Sequence, residues 1–274
     1  MTAPHEGSRI RNLVREWAAR LGSGPASALI ALLSWEFLVR ILEIRQSTLP
    51  SPTRVILQIW RDAPRLADHA QVTAREALAG LLASVLAGYL LAVSMTVSTR
   101  MRRLAGPVLL MLRVVPFLAL APLFFLWLGM GFMTATALAF MACFLPTAFR
   151  LLAGLDSVPE ETLEIVRSMR CPQIRELFKI RLPASFPYAT RAAKACTPLA
   201  FAAATVAECV ASGSGLGFLM MSAASRVDTT GLIAALAVLV LMIITVYMAI
   251  SALEHVWLPW ASSAPPGWQA DPHG

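Results

Sequence analysis

Residues 114–149 read VVPFLALAPLFFLWLGMGFMTATALAFMACFLPTAF, a run without one charged side chain. A helix needs roughly 20 apolar residues to cross the ~30 Å hydrocarbon core of a bilayer. The run is too long for one crossing and just short of two full ones. Gly129-Met130-Gly131 stands in its middle, and two glycines around one residue suit a turn. The stretch therefore reads as two membrane helices, one ending near Leu128 and the next starting near Phe132. Lipid offers the backbone no hydrogen-bond partners, so helices that bond internally are the economical way across. The fold class that follows is all-α and polytopic.

The rest of the chain agrees. Of its 274 residues 57% are hydrophobic and 14% charged, with a mean hydropathy of +0.66. Soluble domains are roughly 45–50% apolar and about 25% charged. A soluble globular protein is excluded by these values, and so is a disordered one. Residues 77–99 and 229–253 are further uncharged runs; 26–42 is broken only by Glu36 and Arg40, and 195–210 only by Glu208. About six spans result, near 26–42, 76–98, 106–128, 132–153, 195–211 and 231–254. The first is read as an uncleaved anchor, since charges interrupt its apolar core and no A-x-A site follows. Residues 53–67 suggest a short amphipathic helix at the outer interface.

An even number of spans puts both termini on one side. With the N-terminus cytoplasmic, inner segments hold fifteen of the lysines and arginines and outer segments six. That supports N-in, C-in. The net charge of +7 is thus a topological signal and not a nucleic-acid surface. Residues 1–20 become a cytoplasmic segment, 21–261 the transmembrane domain, and the Pro/Gly/Ser-rich 262–274 a disordered tail. Cys143, Cys171, Cys196 and Cys209 form no CxxC pair and read as packing residues. No His/Asp/Glu cluster has metal spacing, so no metal is expected.

The largest cytoplasmic loop, 155–194, is the informative one. Ser157 and Glu160 fit a capping box with Pro159 in the first turn, and Glu160, Glu161 and Glu164 crowd a helix start. Pro172 opens a second short helix on which Ile174, Leu177 and Phe178 share a face, with Arg175, Lys179 and Arg181 around the rest. Pro183 and Pro187 are expected to end it. Two short helices with a bend suit a partner groove, or a solvated loop folded onto its own bundle.

Within this loop Glu164-Ile165-Val166, three residues, Arg170, nine residues and Ile180-Arg181-Leu182-Pro183 match the spacing of a known signature. Outside it stand Trp35-Glu36, Leu49-Pro50-Ser51-Pro52, the segment Arg113–Gly131 with Pro116, Pro122 and Trp127, and Ala207-Glu208 before Gly215-Leu216-Gly217. In this order the set resembles the permease subunits of binding-protein-dependent ABC importers, most closely the nitrate/sulfonate/taurine branch. The resemblance implies a type I (MetI-like) importer fold in a bacterial inner membrane. It implies partners as well: ABC ATPase subunits, a second permease chain of the same kind, an extracytoplasmic solute-binding protein and the lipid bilayer. ATP sits on the ATPase, and this chain binds no cofactor. The implied substrate is a small anion such as a sulfonate, taurine or nitrate; related branches carry thiamine-pyrimidine precursors, riboflavin or aromatic carboxylates. By position Glu164, Arg170, Ile180, Leu182 and Pro183 are the ATPase-coupling residues, and Arg113 and Glu208 candidates for the pathway or gate. The signature's Ala-Ala is Ile165-Val166 here, and its glycine is Arg170. Glycine there permits a left-handed bend that costs arginine on the order of 1 kcal/mol. Either the bend is made differently, helped by Pro172, or Arg170 meets the ATPase.

The chain is not read as an enzyme. Its two lysines, Lys179 and Lys194, do not follow a glycine, so no phosphate-binding GxxxxGK[ST] loop exists. Gly213-x-Gly215-x-Gly217 follows an apolar span and reads as a helix-ending loop on the outer side. Glu36 and Arg40, four apart, are expected to pair. A stand-alone secondary transporter is the alternative from another class, and it needs an intramembrane ion or proton site.

Overall fold

Where the uncharged run was expected to turn, Gly129 and Gly131 take φ of +75° and +115°, conformations open to glycine alone at no steric cost. The helix before them ends at Leu128 and the helix after begins at Phe132. The computed structural model describes residues 24–43, 45 and 48–258, and the regular elements among them are all helical. The expected cytoplasmic segment 1–20 and tail 262–274 lie outside the described residues.

In chain order the helices are α1 (Gly24–Ile41), α2 (Pro52–Arg61), α3 (Ala63–Val97), α4 (Thr99–Leu112), α5 (Ala121–Leu128), α6 (Phe132–Leu155), α7 (Glu160–Ser168), α8 (Gln173–Glu176), α9 (Leu182–Ala211), α10 (Leu216–Ser225) and α11 (Thr229–Trp257). By length and composition four helical stretches among the described residues can cross a membrane: Ala63–Val97, Phe132–Leu155, Gln173–Val210 and Thr229–Trp257. The other two in the sequence count are α1 and the interrupted α4–α5 pair.

Three expectations are corrected. The amphipathic segment 53–67 is not one helix: the chain turns at Asp62, and its second half joins α3, whose first turn holds Pro64. The span at 106–128 is not continuous either. It breaks between Leu112 and Ala121, with a single 3₁₀ turn at Phe117–Leu120. Pro116 lacks an N–H and disfavours helical geometry at Val115, while Pro122 is suited to the first turn of α5. Finally, Pro183 and Pro187 do not end a helix. A wide π-type turn at Leu177–Arg181 leads directly into α9, which runs unbroken to Ala211. Pro183 directly follows the π-type turn, inside a continuous helical stretch, and membrane helices tolerate internal prolines when neighbours supply hydrogen bonds.

The core lies where α3, α6 and α9 pack on one another, with α10 and α11 against α9. Its members are mostly small: Ala77, Ala135, Ala139, Ala142, Ala200 and Ala204 surround Leu138 and Phe201. Small residues let backbones approach, which is how helices gain dispersion energy in lipid. Gly80 is the extreme case, because a Cβ there would lie 2.6 Å from Ala139 Cβ and 2.7 Å from the Thr136 carbonyl. Cys143 and Cys196 are buried between α6 and α9, and all four cysteines are free thiols.

α1 touches mainly α2. Glu36 pairs with Arg40 at 2.6 Å and also accepts from the Thr53 N–H at 3.1 Å and hydroxyl at 3.0 Å. The Trp-Glu motif and the Leu-Pro-Ser-Pro motif are thereby joined, since Glu36 satisfies an orphan donor at the start of α2.

Candidate functional site

The loop end of the bundle is built outward from α6. Ser157 does not form a capping box. Its hydroxyl donates to the Gly154 carbonyl at 2.8 Å, finishing α6, and Pro159 precedes α7. After Ser168, α7 closes with paired bonds from Arg170 N–H to the Arg167 carbonyl (2.9 Å) and from Cys171 N–H to the Val166 carbonyl (3.4 Å). This is the Schellman closure, which needs a left-handed residue at its pivot. Arg170 is that residue, with φ +54°. The bend is therefore made as a glycine makes it, with arginine in the strained position. Arg170→Gly is expected to stabilise the loop by about 1 kcal/mol, read as a higher melting midpoint in detergent; an unchanged or lower midpoint counts against strain at Arg170.

A chain of ion pairs fixes the two short helices to the membrane bundle. Arg102 of α4 reaches Asp156 at 2.6 Å, and Arg181 reaches Asp156 at 3.9 Å and Glu176 at 2.9 Å. Arg167 then spans Glu176 at 3.2 Å and Glu160 at 2.7 Å. Arg181 also donates to the Leu155 carbonyl at 3.2 Å. The Glu176 side chain is 5% exposed and that of Arg181 13%. Burial pushes the Glu176 carboxyl up, but the hydrogen bonds and charges of Arg167 and Arg181 outweigh it and hold it below its ordinary value. Beneath this network Leu177 packs on Ala92, Leu151 and Leu155, with Leu182 against the same cluster.

The residues singled out from sequence divide between two faces. Glu164 and Arg170 are exposed. Ile180, Leu182 and Pro183 are half-buried and seat the loop on the bundle. Of the expected apolar face only Leu177 turns inward, whereas Ile174 and Phe178 are each 57% exposed and stand with Ile165 and Met169 on the outer surface. Arg113 is exposed at the end of α4, in the break before Pro116. Glu208 is far from all of these, buried near the other end of α9, where it accepts from the Gly217 N–H at 2.7 Å. Asp156, Glu160, Arg167, Glu176 and Arg181 act together in the structure, a grouping the sequence reading did not make. No group of three His, Cys, Asp or Glu among the described residues has the arrangement to hold a metal ion.

The described residues form a helical bundle, four of whose helical stretches are long and apolar enough to cross a membrane, with a pair of short helices braced by ion pairs at one end. The chain belongs to the family of binding-protein-dependent transport system inner membrane components, whose model matches residues 84–256. It is an ABC importer permease subunit. It is 30% identical to a probable ABC transporter permease of Haemophilus influenzae, over 83% of this chain and 94% of that protein. It is also 29% identical to the riboflavin transport permease of Chloroflexus aurantiacus, over 93% and 96% of the two chains. With the taurine transport permease of Escherichia coli it shares 26% identity over 84% and 86%. In fold it is similar to the inward-facing MetNI methionine ABC transporter, with TM-score 0.57, 17% identity, and 76% of this chain and 98% of that one covered.

Proposed function

We propose that this chain forms half of the translocation pathway of an ATP-driven importer in a bacterial inner membrane, coupled through 155–194 to a separate ATPase that alone binds ATP. The supporting observation is the outer surface of the loop. Ile165, Met169, Ile174 and Phe178 are exposed apolar side chains on helices braced by a largely buried Arg181–Glu176 pair and a half-exposed Arg167–Glu176 pair. Exposed apolar groups on a braced element suit a partner groove better than they suit water. Glu164, exposed among them and in no ion pair among the described residues, is the charged contact. In this reading α1, the α4–α5 pair and the four long helices make six spans, both termini are cytoplasmic, and a second, identical chain completes the pathway. An extracytoplasmic binding protein delivers the solute.

The substrate class we propose is a small anion such as a sulfonate, taurine or nitrate. Support comes from Arg113. Counted from the expected start of the span at residue 106, the arginine stands about 10 Å into the bilayer, where a cation is costly without a function. Relatives named for taurine, aliphatic sulfonates and nitrate are consistent with this, as are others named for formylaminopyrimidine and riboflavin with a wider range.

The test is co-expression with the cognate ATPase, detergent extraction and reconstitution with the binding protein in liposomes. Phe178→Glu and Ile174→Glu are expected to reduce ATPase association at least tenfold, while elution volume and melting midpoint stay as in the parent. Glu164→Ala is expected to weaken association less. Association unaffected by both glutamate variants refutes the docking face, and uptake of riboflavin in place of anions refutes the substrate class.

A further inference from the structure

The end of the bundle opposite the loop carries a small cleft. α3 ends beside the loop, where Thr96 and Val97 border Arg167 and Arg181. Its first turns therefore lie about 45 Å away along the helix axis. There α3, α10 and α11 enclose about 350 Å³, counting the solvent at the mouth. Leu66, Leu219, Ala223 and Ala235 are buried and form the apolar wall. Arg65, Arg226, Asp62 and Ser222 supply the polar side.

The two arginines have no carboxylate of their own. Among the described residues neither Arg65 nor Arg226 is in an ion pair. Arg226 closes α10, and its Nη2 donates to Ser222 Oγ at 3.3 Å, which turns the side chain back along the helix. The neighbouring carboxylates have other donors. Asp62 Oδ2 accepts from Gln58 Nε2 at 2.8 Å, and Asp228 Oδ1 accepts from the Gly231 N–H at 3.0 Å. A guanidinium presents a planar fork of N–H donors that matches the oxygens of a phosphate. Two guanidiniums and one carboxylate in a single cleft suit a zwitterion, a phosphodiester with an ammonium attached.

The cleft also lies at the level of lipid headgroups. The uncharged run of α11 is bounded by Asp228 and Glu254 and is long enough to cross a ~30 Å hydrocarbon core. Gly231, Ala234 and Ala235, which line the cleft, belong to its first two turns. From that level Leu236, Val240 and Ile244, exposed and four apart, run down one face of α11. Trp60 is 82% exposed two residues before Asp62, and tryptophan favours the headgroup level. A free anion would use the arginines and gain nothing from the apolar stripe, whereas a phospholipid uses both. We propose that the cleft binds one phospholipid, with its phosphodiester on Arg65 and Arg226, its ethanolamine ammonium on Asp62 and its acyl chains along Leu236, Val240 and Ile244. The bound lipid ties α3 to the corner between α10 and α11. This site depends on α11 spanning the membrane, and on neither ATPase docking nor the identity of the solute.

The test takes the permease–ATPase complex in detergent, strips loosely held lipid, and titrates phosphatidylethanolamine while native mass spectra are recorded. One lipid per permease chain is expected in the parent. In R65Q/R226Q the apparent affinity is expected to fall by about tenfold or more, the loss of charge-assisted hydrogen bonds. Arg54→Gln, exposed at the same end but outside the cleft, is expected to bind as the parent does. Asp62→Asn is expected to remove the parent's preference for phosphatidylethanolamine over phosphatidylcholine, whose quaternary ammonium has no N–H. Equal binding by the parent and R65Q/R226Q overturns the proposal. So does equal occupancy by diacylglycerol, which would leave an apolar groove alone, or displacement of the lipid by inorganic phosphate, which would make the cleft a site for soluble anions. The same spectra read ATPase association, which R65Q/R226Q is expected to leave unchanged, so a failure of coupling and a failure of lipid binding are told apart.

Discussion

Gly80→Leu is expected to abolish the folded bundle, and Gly80→Ala to destabilise it by about 3 kcal/mol. Even the single added carbon of alanine would sit 2.6 Å from Ala139 Cβ, 2.7 Å from the Thr136 carbonyl and 2.8 Å from the Phe140 amide nitrogen. Two of these three are backbone atoms of α6, which no rotamer change can move. The helices must separate, and every small-residue contact along the α3–α6 seam lengthens with them. Melting in detergent, followed by size-exclusion recovery, measures the loss. Gly106 of α4 is the internal control, since a Cβ there meets nothing within 4 Å. Gly106→Ala should cost far less than Gly80→Ala, since only the local clash of its Cβ with the ring of Pro107 is set against the better helix propensity of alanine. Equal effects at the two positions would mean that the seam is not the close contact described.

The second large effect is expected at Glu176. Glu176→Ala leaves Arg181, itself largely buried, with only the longer contact to Asp156 at 3.9 Å and the Leu155 carbonyl, and breaking a buried pair from one side costs about 3–5 kcal/mol in general. The lower figure, about 3 kcal/mol, applies because Arg167 on the other side of the carboxylate is half-exposed and its share is screened. The effect should be local: amides of 160–183 exchange faster with deuterium while those of the α3–α6–α9 core keep their protection. Acid should act in the same direction. The Glu176 carboxyl is held below its ordinary value, so its contribution is complete above the unfolded carboxylate range, about pH 4.3, and is lost as pH falls through the lowered folded value. The parent loop should therefore stay closed at mildly acidic pH and open in stronger acid. In Glu176→Ala the exchange rate, corrected for intrinsic chemistry, should show no such step; a step of the same size would assign it to another carboxylate.

What the sequence made legible was whatever a single residue type decides. Gly129 and Gly131 sit at positive φ, so their turn was visible from composition alone. The four long apolar helices were visible for the same kind of reason, since hydropathy is a sum over neighbours. The prolines show where that logic fails. Pro116 breaks a helix and Pro183 does not, and the difference lies in position within the turn and in nearby hydrogen-bond donors. Arg170 was located by its spacing in the loop, but its left-handed backbone depends on the bonds from Arg170 and Cys171 back into α7. The ion pairs were not legible, because Arg102, Asp156, Glu176 and Arg181 come from four separate elements that meet only after the bundle packs. The same holds for Glu76, which in sequence marks only the edge of an apolar run and in the structure is buried within the bundle.

One further consequence follows from the absence of a break between the π-type turn and α9. Arg181 at one end and Glu208 near the other belong to a single rod, with Cys196 pressed against α6 between them. At 1.5 Å per residue the two arms measure about 20 Å each. A rod that tilts about a fulcrum at Cys196 behaves as an almost balanced seesaw. A rigid tilt of this kind would bring a displacement of the loop end to the Gly215 turn with nearly the same size and the opposite sign.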